Sequence, residues 1–202
     1  MTGYLVDPAE IYRQSFATIR AETDFSALAD DVVPVALRLI HACAMTDIVG
    51  DLAYSPDAAR KGRKALAGGA SILCDARMVA EGIIEKRLPA SNRIICTLNE
   101  VGEAVGTTRS AAAVDLWEPH LGGAVVALGN APTALFRLLE LVADGAPRPA
   151  VVLGFPVGFV GAAESKDALA ESDLDYLVLK GRRGGSALAA AAVNALAGPE
   201  EG

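Results

Sequence analysis

His41 and His120 are the two histidines of the chain. Histidine is the side chain whose unperturbed pKa (~6.5) suits proton exchange at neutral pH. His41 stands in the segment Arg38-Leu39-Ile40-His41-Ala42-Cys43. On a helix, Arg38 lies three residues earlier on the same face, whereas Cys43, two residues later, points elsewhere. The pair offers acid-base chemistry beside a cation able to hold an anionic ligand. A histidine between Ile40 and Ala42 also suits a satisfied core position, and composition alone favours that plainer reading.

Other chemistries lack their parts. No serine sits in a GxSxG elbow and no HExxH is present, so hydrolase triads and histidine-rich metal sites are hard to assemble and no metal is expected. The cysteines Cys43, Cys74 and Cys96 are far apart, each in an apolar stretch and none in a CxxC pair, which reads as reduced structural thiols. Gly154-x-x-x-Gly158-x-x-Gly161 and Gly181-Arg182-Arg183-Gly184-Gly185 match neither common phosphate-loop pattern in register. No acidic residue stands at convincing ribose-binding spacing, so a nucleotide site is the weaker reading.

The elements that must position these residues begin with helices. Asp7 before Pro8 forms a cap signature, and Ile11, Tyr12, Ser15, Phe16 and Ile19 recur at helical spacing. A second helix is expected from about Asp31 to Cys43, and a third from the Ser55-Pro56-Asp57 cap to Gly68-Gly69. After Gly69 short apolar runs alternate with helical stretches. The runs are Ser71 to Cys74, Arg93 to Leu98, Ala124 to Leu128, Ala150 to Leu153 and Tyr176 to Leu179. The intervening helices are expected over roughly Ala76 to Ile84, Ser110 to Trp117, Pro132 to Val142, Ala163 to Ala170 and Ser186 to Leu196. This order predicts a single α/β domain over 1–202, a mostly parallel sheet of about five strands covered by helices, with a helical N-terminal part.

Ligands of open α/β sheets collect beyond the carboxyl ends of the strands. Those positions read Asp75, Asn99, Gly129-Asn130-Ala131-Pro132-Thr133, Gly154 to Gly158, and Lys180 to Ser186. A lone loop of this kind is most simply a tight turn, but its recurrence after successive strands favours a cleft. The expected ligand position is beside Asn130, Gly158 and Gly161, where glycines let backbone approach a flat molecule.

Composition limits the partners. A chain of 202 residues with 52% hydrophobic content suits one domain with one core. A net charge of -7 and a pI near 4.9 argue against nucleic acid or an anionic membrane as partner, so any anionic ligand must be held by local cations. No run of eighteen or more apolar residues could span a bilayer. Met1-Thr2-Gly3-Tyr4 lacks an export layout, which predicts a cytoplasmic protein. The mean hydropathy of +0.34 suggests an apolar surface covered by a second copy.

Arg38 to Cys43 occurs together with Ile72-Leu73-Cys74-Asp75, Asn92 to Leu98, Thr108-Arg109-Ser110-Ala111-Ala112-Ala113, Gly129 to Leu135 and Pro156 to Lys166. In this order the blocks resemble the precorrin-8X methylmutase family, over nearly the whole chain. The resemblance implies a cofactor-free isomerase of cobalamin biosynthesis that moves a methyl group from C-11 to C-12 of precorrin-8X, giving hydrogenobyrinic acid. It further implies a homodimer with sites near the subunit interface, His41 as acid-base residue, and Ser15, Arg38, Arg109 and Ser110 against the substrate. Two positions depart from the pattern: Ala44 where many relatives have glycine, and Thr107 where some have asparagine.

The chemistry agrees with that implication, since a methyl shift around a conjugated ring transfers no electrons and needs a proton donor and firm positioning. The substrate's rim carboxylates suit arginine, and Arg38, Arg109, Lys166, Lys180, Arg182 and Arg183 all fall at or beside candidate site segments. Two alternatives remain at this level: a tetrapyrrole carrier without catalysis, and the same shift on cobalt-precorrin-8.

Overall fold

The computed structural model describes residues 4–198. The layout read at residues 1–3 and the domain's last residues, 199–202, lie outside them. Six strands form one sheet: β1 (Leu52–Tyr54), β2 (Ile72–Cys74), β3 (Ile94–Ile95), β4 (Val125–Leu128), β5 (Val151–Gly154) and β6 (Tyr176–Leu179), in the order β1-β6-β5-β4-β2-β3. All neighbours pair in parallel except β1, which runs antiparallel to β6 with Leu52 opposite Leu179. The parallel strands are the expected ones; β2, β4 and β5 are wholly buried, as continuous apolar runs between helical layers must be.

The helices are α1 (Pro8–Glu22), α2 (Val33–Cys43), α3 (Ala58–Ala67), α4 (Arg77–Gly82), α5 (Arg109–Asp115), α6 (Glu118–Leu121), α7 (Pro132–Ala143), α8 (Ala162–Glu171) and α9 (Ser186–Ala197). Two cores result, one on each face of the sheet. Residues of α2, α3, α4 and α9 fill one, and residues of α5 to α8 with Trp117 fill the other. Helix α9 packs on β4 and β5 and also on α2. Its run Leu188–Ala197 is buried throughout, and its many alanines let the flanking layers approach closely. Helix α2 is thus carried outside α9, with Val35–Ile40 buried, and α1 lies against α2.

The structure adds one strand to the expected set and corrects two local expectations. The antiparallel strand β1 was not foreseen, because Leu-Ala-Tyr is too short to show a period. The strand expected over Arg93 to Leu98 is only Ile94–Ile95, followed by a 3-10 helix at Thr97–Asn99. There the buried Thr97 hydroxyl donates to the Ala113 carbonyl at 2.7 Å and accepts from Trp117 Nε1 at 3.0 Å, which diverts the chain from the ladder. The cap of α3 is Asp57, held in the left-handed region at φ 63°, rather than Ser55. The Ser55 hydroxyl instead donates to Asp175 and accepts from the Tyr176 amide, both at 3.1 Å.

Candidate active site

Helix α1 begins as its sequence dictates: the Asp7 carboxylate accepts from the Ala9 amide at 3.1 Å, and Pro8 opens the first turn. Its stripe Tyr12, Ser15, Phe16 and Ile19 meets the last turn of α2, where His41 sits half-buried. The Ser15 hydroxyl and His41 Nδ1 are 2.8 Å apart. Phe16 stacks on the imidazole, with centroids 5.1 Å apart and planes 14° off parallel, and Tyr12 leans on it at 4.9 Å. The Ser15 contact at Nδ1 and the two aromatic neighbours fix the orientation of the imidazole.

Arg38 is on the same face, as its spacing predicted. It is only 5% exposed, donates to the Tyr12 hydroxyl at 2.8 Å, and lies 5.7 and 5.9 Å from the Tyr12 and Phe16 ring centres. A cavity of about 270 Å³ opens beside this group, lined by Ser15, Thr18, Ile19, Glu22, Ile40, His41, Ala44 and Thr46. It is at or below the small end of the range for small-molecule sites (~300–1,000 Å³), so a tetrapyrrole would enter it by one edge. A larger neighbouring hollow of about 510 Å³ is lined by Glu22, Asp24 and Asp47 and suits a polyanion poorly.

After α2, Ala44 caps the helix at φ 56°, ψ 29°, and the chain enters a 3-10 helix at Thr46–Asp51. Arg183, from the loop after β6, reaches Asp47 at 2.6 Å and Asp51 at 2.5 Å, and the Lys180 amide donates to the Asp51 carbonyl at 2.8 Å. The end of the histidine helix is therefore tied to the carboxyl edge of the sheet.

That edge carries the remaining predicted residues. The buried Asp75 carboxylate accepts from the amides of Gly129, Asn130 and Ala131 at 2.8–2.9 Å and shapes the loop after β4. Burial pushes its pKa up, while the three amides pull it back. Asn130 is exposed there, and the Thr108 and Thr133 hydroxyls meet at 2.8 Å, joining this loop to the start of α5. At that start Arg109 is exposed and donates to the Leu98 carbonyl at 3.1 Å, with Ser110 half-buried beside it. Gly158 and Gly161 have φ of 153° and 78°, and Gly161 precedes α8 with room for a Cβ only 3.4 Å from Pro132. The Gly158 amide donates to the Arg182 carbonyl at 3.2 Å.

The structure thus forms two groups: Ser15, Arg38 and His41 on α1 and α2, and Arg109, Ser110, Asn130, Gly158 and Gly161 along the sheet edge. Two cations marked in the sequence as carboxylate candidates are spent internally. Lys166 has no exposed surface and donates to the Arg183 carbonyl at 2.7 Å, and Arg183 is doubly ion-paired. Sequence reasoning missed the aromatic clamp on His41, although Tyr12 and Phe16 at helical spacing were its signal. Burial raises the pKa of all three thiols, so they stay protonated at neutral pH. No helix among the described residues is long and apolar enough to cross a membrane.

An α/β fold with a clamped histidine tied to the carboxyl edge of its sheet defines the class. Within it, residues 10–198 match the family model described as Precorrin-8X methylmutase. A Precorrin-8X methylmutase of Pseudomonas aeruginosa is 59% identical over 100% of both chains. A Cobalt-precorrin-8 methylmutase of Priestia megaterium is 34% identical over 95% of this chain and 88% of its own. The solved precorrin-8X methyl mutase of Thermus thermophilus superposes with a TM-score of 0.86 at 40% identity, covering 94% of each chain. The chain belongs to the precorrin-8X methylmutase family, and with it to the isomerases of cobalamin biosynthesis.

Proposed function

We propose that the protein shifts a methyl group from C-11 to C-12 of precorrin-8X to give hydrogenobyrinic acid, with His41 as the acid-base residue. The observation that carries this is the fixed imidazole, with Nδ1 against Ser15 and the ring against Phe16 and Tyr12; Nε2 is the nitrogen assigned to proton exchange with the macrocycle. Proton donation to the conjugated system makes the migrating carbon's neighbour electron-poor, and the migration closes when the same nitrogen recovers a proton. The net change is an isomerisation, with atoms and electrons balanced and no cofactor required.

Ser15 fixes the tautomer, and Arg38 supplies positive potential and one contact to the substrate. Arg109, Ser110, Asn130, Gly158 and Gly161 face the rest of the macrocycle. The 59% identical relative is named for metal-free precorrin-8X and the 34% identical one for the cobalt-bearing form, which supports the metal-free substrate. The working unit is a cytoplasmic homodimer of one domain per chain; exposed Val6, Met78 and Val105 supply apolar surface for a partner copy. Incubating purified protein with precorrin-8X and with its cobalt form, and following the visible spectrum, tests the assignment. Conversion of the metal-free form is the expected result.

A further inference from the structure

The six cations near the site segments are not equivalent. Arg38 is buried on Tyr12, Arg109 donates to Leu98, Lys166 is buried on the Arg183 carbonyl, and Arg183 is held by Asp47 and Asp51. Lys180 and Arg182 remain, both exposed and without an acidic partner among the described residues. The Arg182 guanidinium instead lies 5.7 Å from the ring centre of Phe159, a phenyl left 88% exposed between Gly158 and Gly161. We propose that Phe159 and Arg182 form a clasp for one carboxylate-bearing pyrrole of the substrate, the phenyl ring against the conjugated face and the guanidinium on the carboxylate. The clasp rests on the reading of the ligand as a polycarboxylate tetrapyrrole.

Geometry presets the clasp. Gly158 donates to Arg182, Gly185 donates to the Phe155 carbonyl at 2.8 Å, and Lys166 holds the Arg183 carbonyl, so the loops after β5 and β6 are joined along their length. At Gly184 a Cβ would lie 2.3 Å from the Phe155 oxygen, so the two backbones touch. A platform ordered before binding loses little freedom on binding. Charge points to the same occupant. On a chain of net charge -7, a polyanion is repelled over most of the surface and drawn to cations that no carboxylate neutralises. An aromatic ring beside a planar guanidinium suits a flat, conjugated, carboxylated ligand better than an inorganic anion.

Binding of hydrogenobyrinic acid, followed by its visible spectrum, tests this in wild type, Phe159→Ala, Arg182→Met and Arg182→Lys, alongside the methyl ester of the same molecule. Loss of one charge-assisted contact predicts affinity for the acid about 10- to 100-fold weaker in Arg182→Met, partly restored in Arg182→Lys, with the ester little affected. Phe159→Ala should weaken acid and ester alike by about 10-fold, the value of a lost stacking contact. Undiminished binding in both Phe159→Ala and Arg182→Met overturns the clasp, as does unchanged affinity with self-association weakened in sedimentation, which would make the patch a contact between copies. Wild-type protein that binds neither acid nor ester overturns the tetrapyrrole reading itself.

Discussion

Ser15 of α1 and His41 of α2 meet across 26 residues of sequence at 2.8 Å, hydroxyl to Nδ1. A hydrogen bond at that nitrogen sets which of the two ring nitrogens would exchange a proton in the proposed reaction. His41→Ala should lower turnover on the order of 10² to 10⁴ with product affinity largely kept. A carrier would bind and release equally well without His41, so full turnover in the variant would dismiss the catalytic role. Ser15→Ala should lower kcat roughly 10-fold, as expected for loss of an orienting partner, with little change in KM.

Arg38 should behave differently. Its removal takes a donor from Tyr12 and a cation from beneath both aromatic rings. Arg38→Ala should therefore raise KM at least as much as it lowers kcat and also lower thermal stability. Unchanged KM with reduced kcat would assign Arg38 to the orientation of His41 alone.

Ala44 occupies a left-handed conformation that costs an L-residue about 1–2 kcal/mol and glycine almost nothing. After the greater unfolded-state freedom of glycine is subtracted, Ala44→Gly should stabilise the fold by roughly 0.5–1 kcal/mol in urea denaturation.

Lys166 gives the fold a pH dependence. Burial lowers its pKa from 10.5 to about 8, so between those values the unfolded chain binds more protons than the folded one. Stability should rise as pH climbs from about 8 towards 10.5, and it should be lower by on the order of 3 kcal/mol below pH 8. Lys166→Met should remove that slope in urea melts at several pH values; an unaltered slope would assign it to other groups.

Asp75 offers the sharpest stability test of the sheet edge. Asp75→Ala leaves the amides of Gly129, Asn130 and Ala131 without their acceptor, which should cost about 2–5 kcal/mol. A loss below about 0.5 kcal/mol, the range of ordinary surface substitutions, would mean that the loop holds its shape by other contacts.

The parallel part of the fold was legible because β2, β4 and β5 are apolar without interruption, each followed by a turn and a helical period. β1 was not, since three half-buried residues carry no pattern and its pairing with β6 is a long-range matter. The histidine segment was legible by resemblance, whereas its own residues favoured a core position. The fates of Lys166 and Arg183 were hidden for the same reason as the clamp on His41. Charge is local in sequence, but the acid or carbonyl that neutralises it comes from another element.

Tyr12, Ser15 and Phe16 all belong to α1, a helix with Ile19 as its single fully buried side chain. It supplies no strand to the sheet and gives one of the two cores only Ile19, with Phe16 packed alongside. Detachment of α1 is thus a smaller opening than global unfolding, and it should be visible as faster amide hydrogen exchange along residues 8–22. Heating should then inactivate the enzyme reversibly at a temperature below that at which the sheet melts, so that the half-life of activity reports one helix rather than the whole fold.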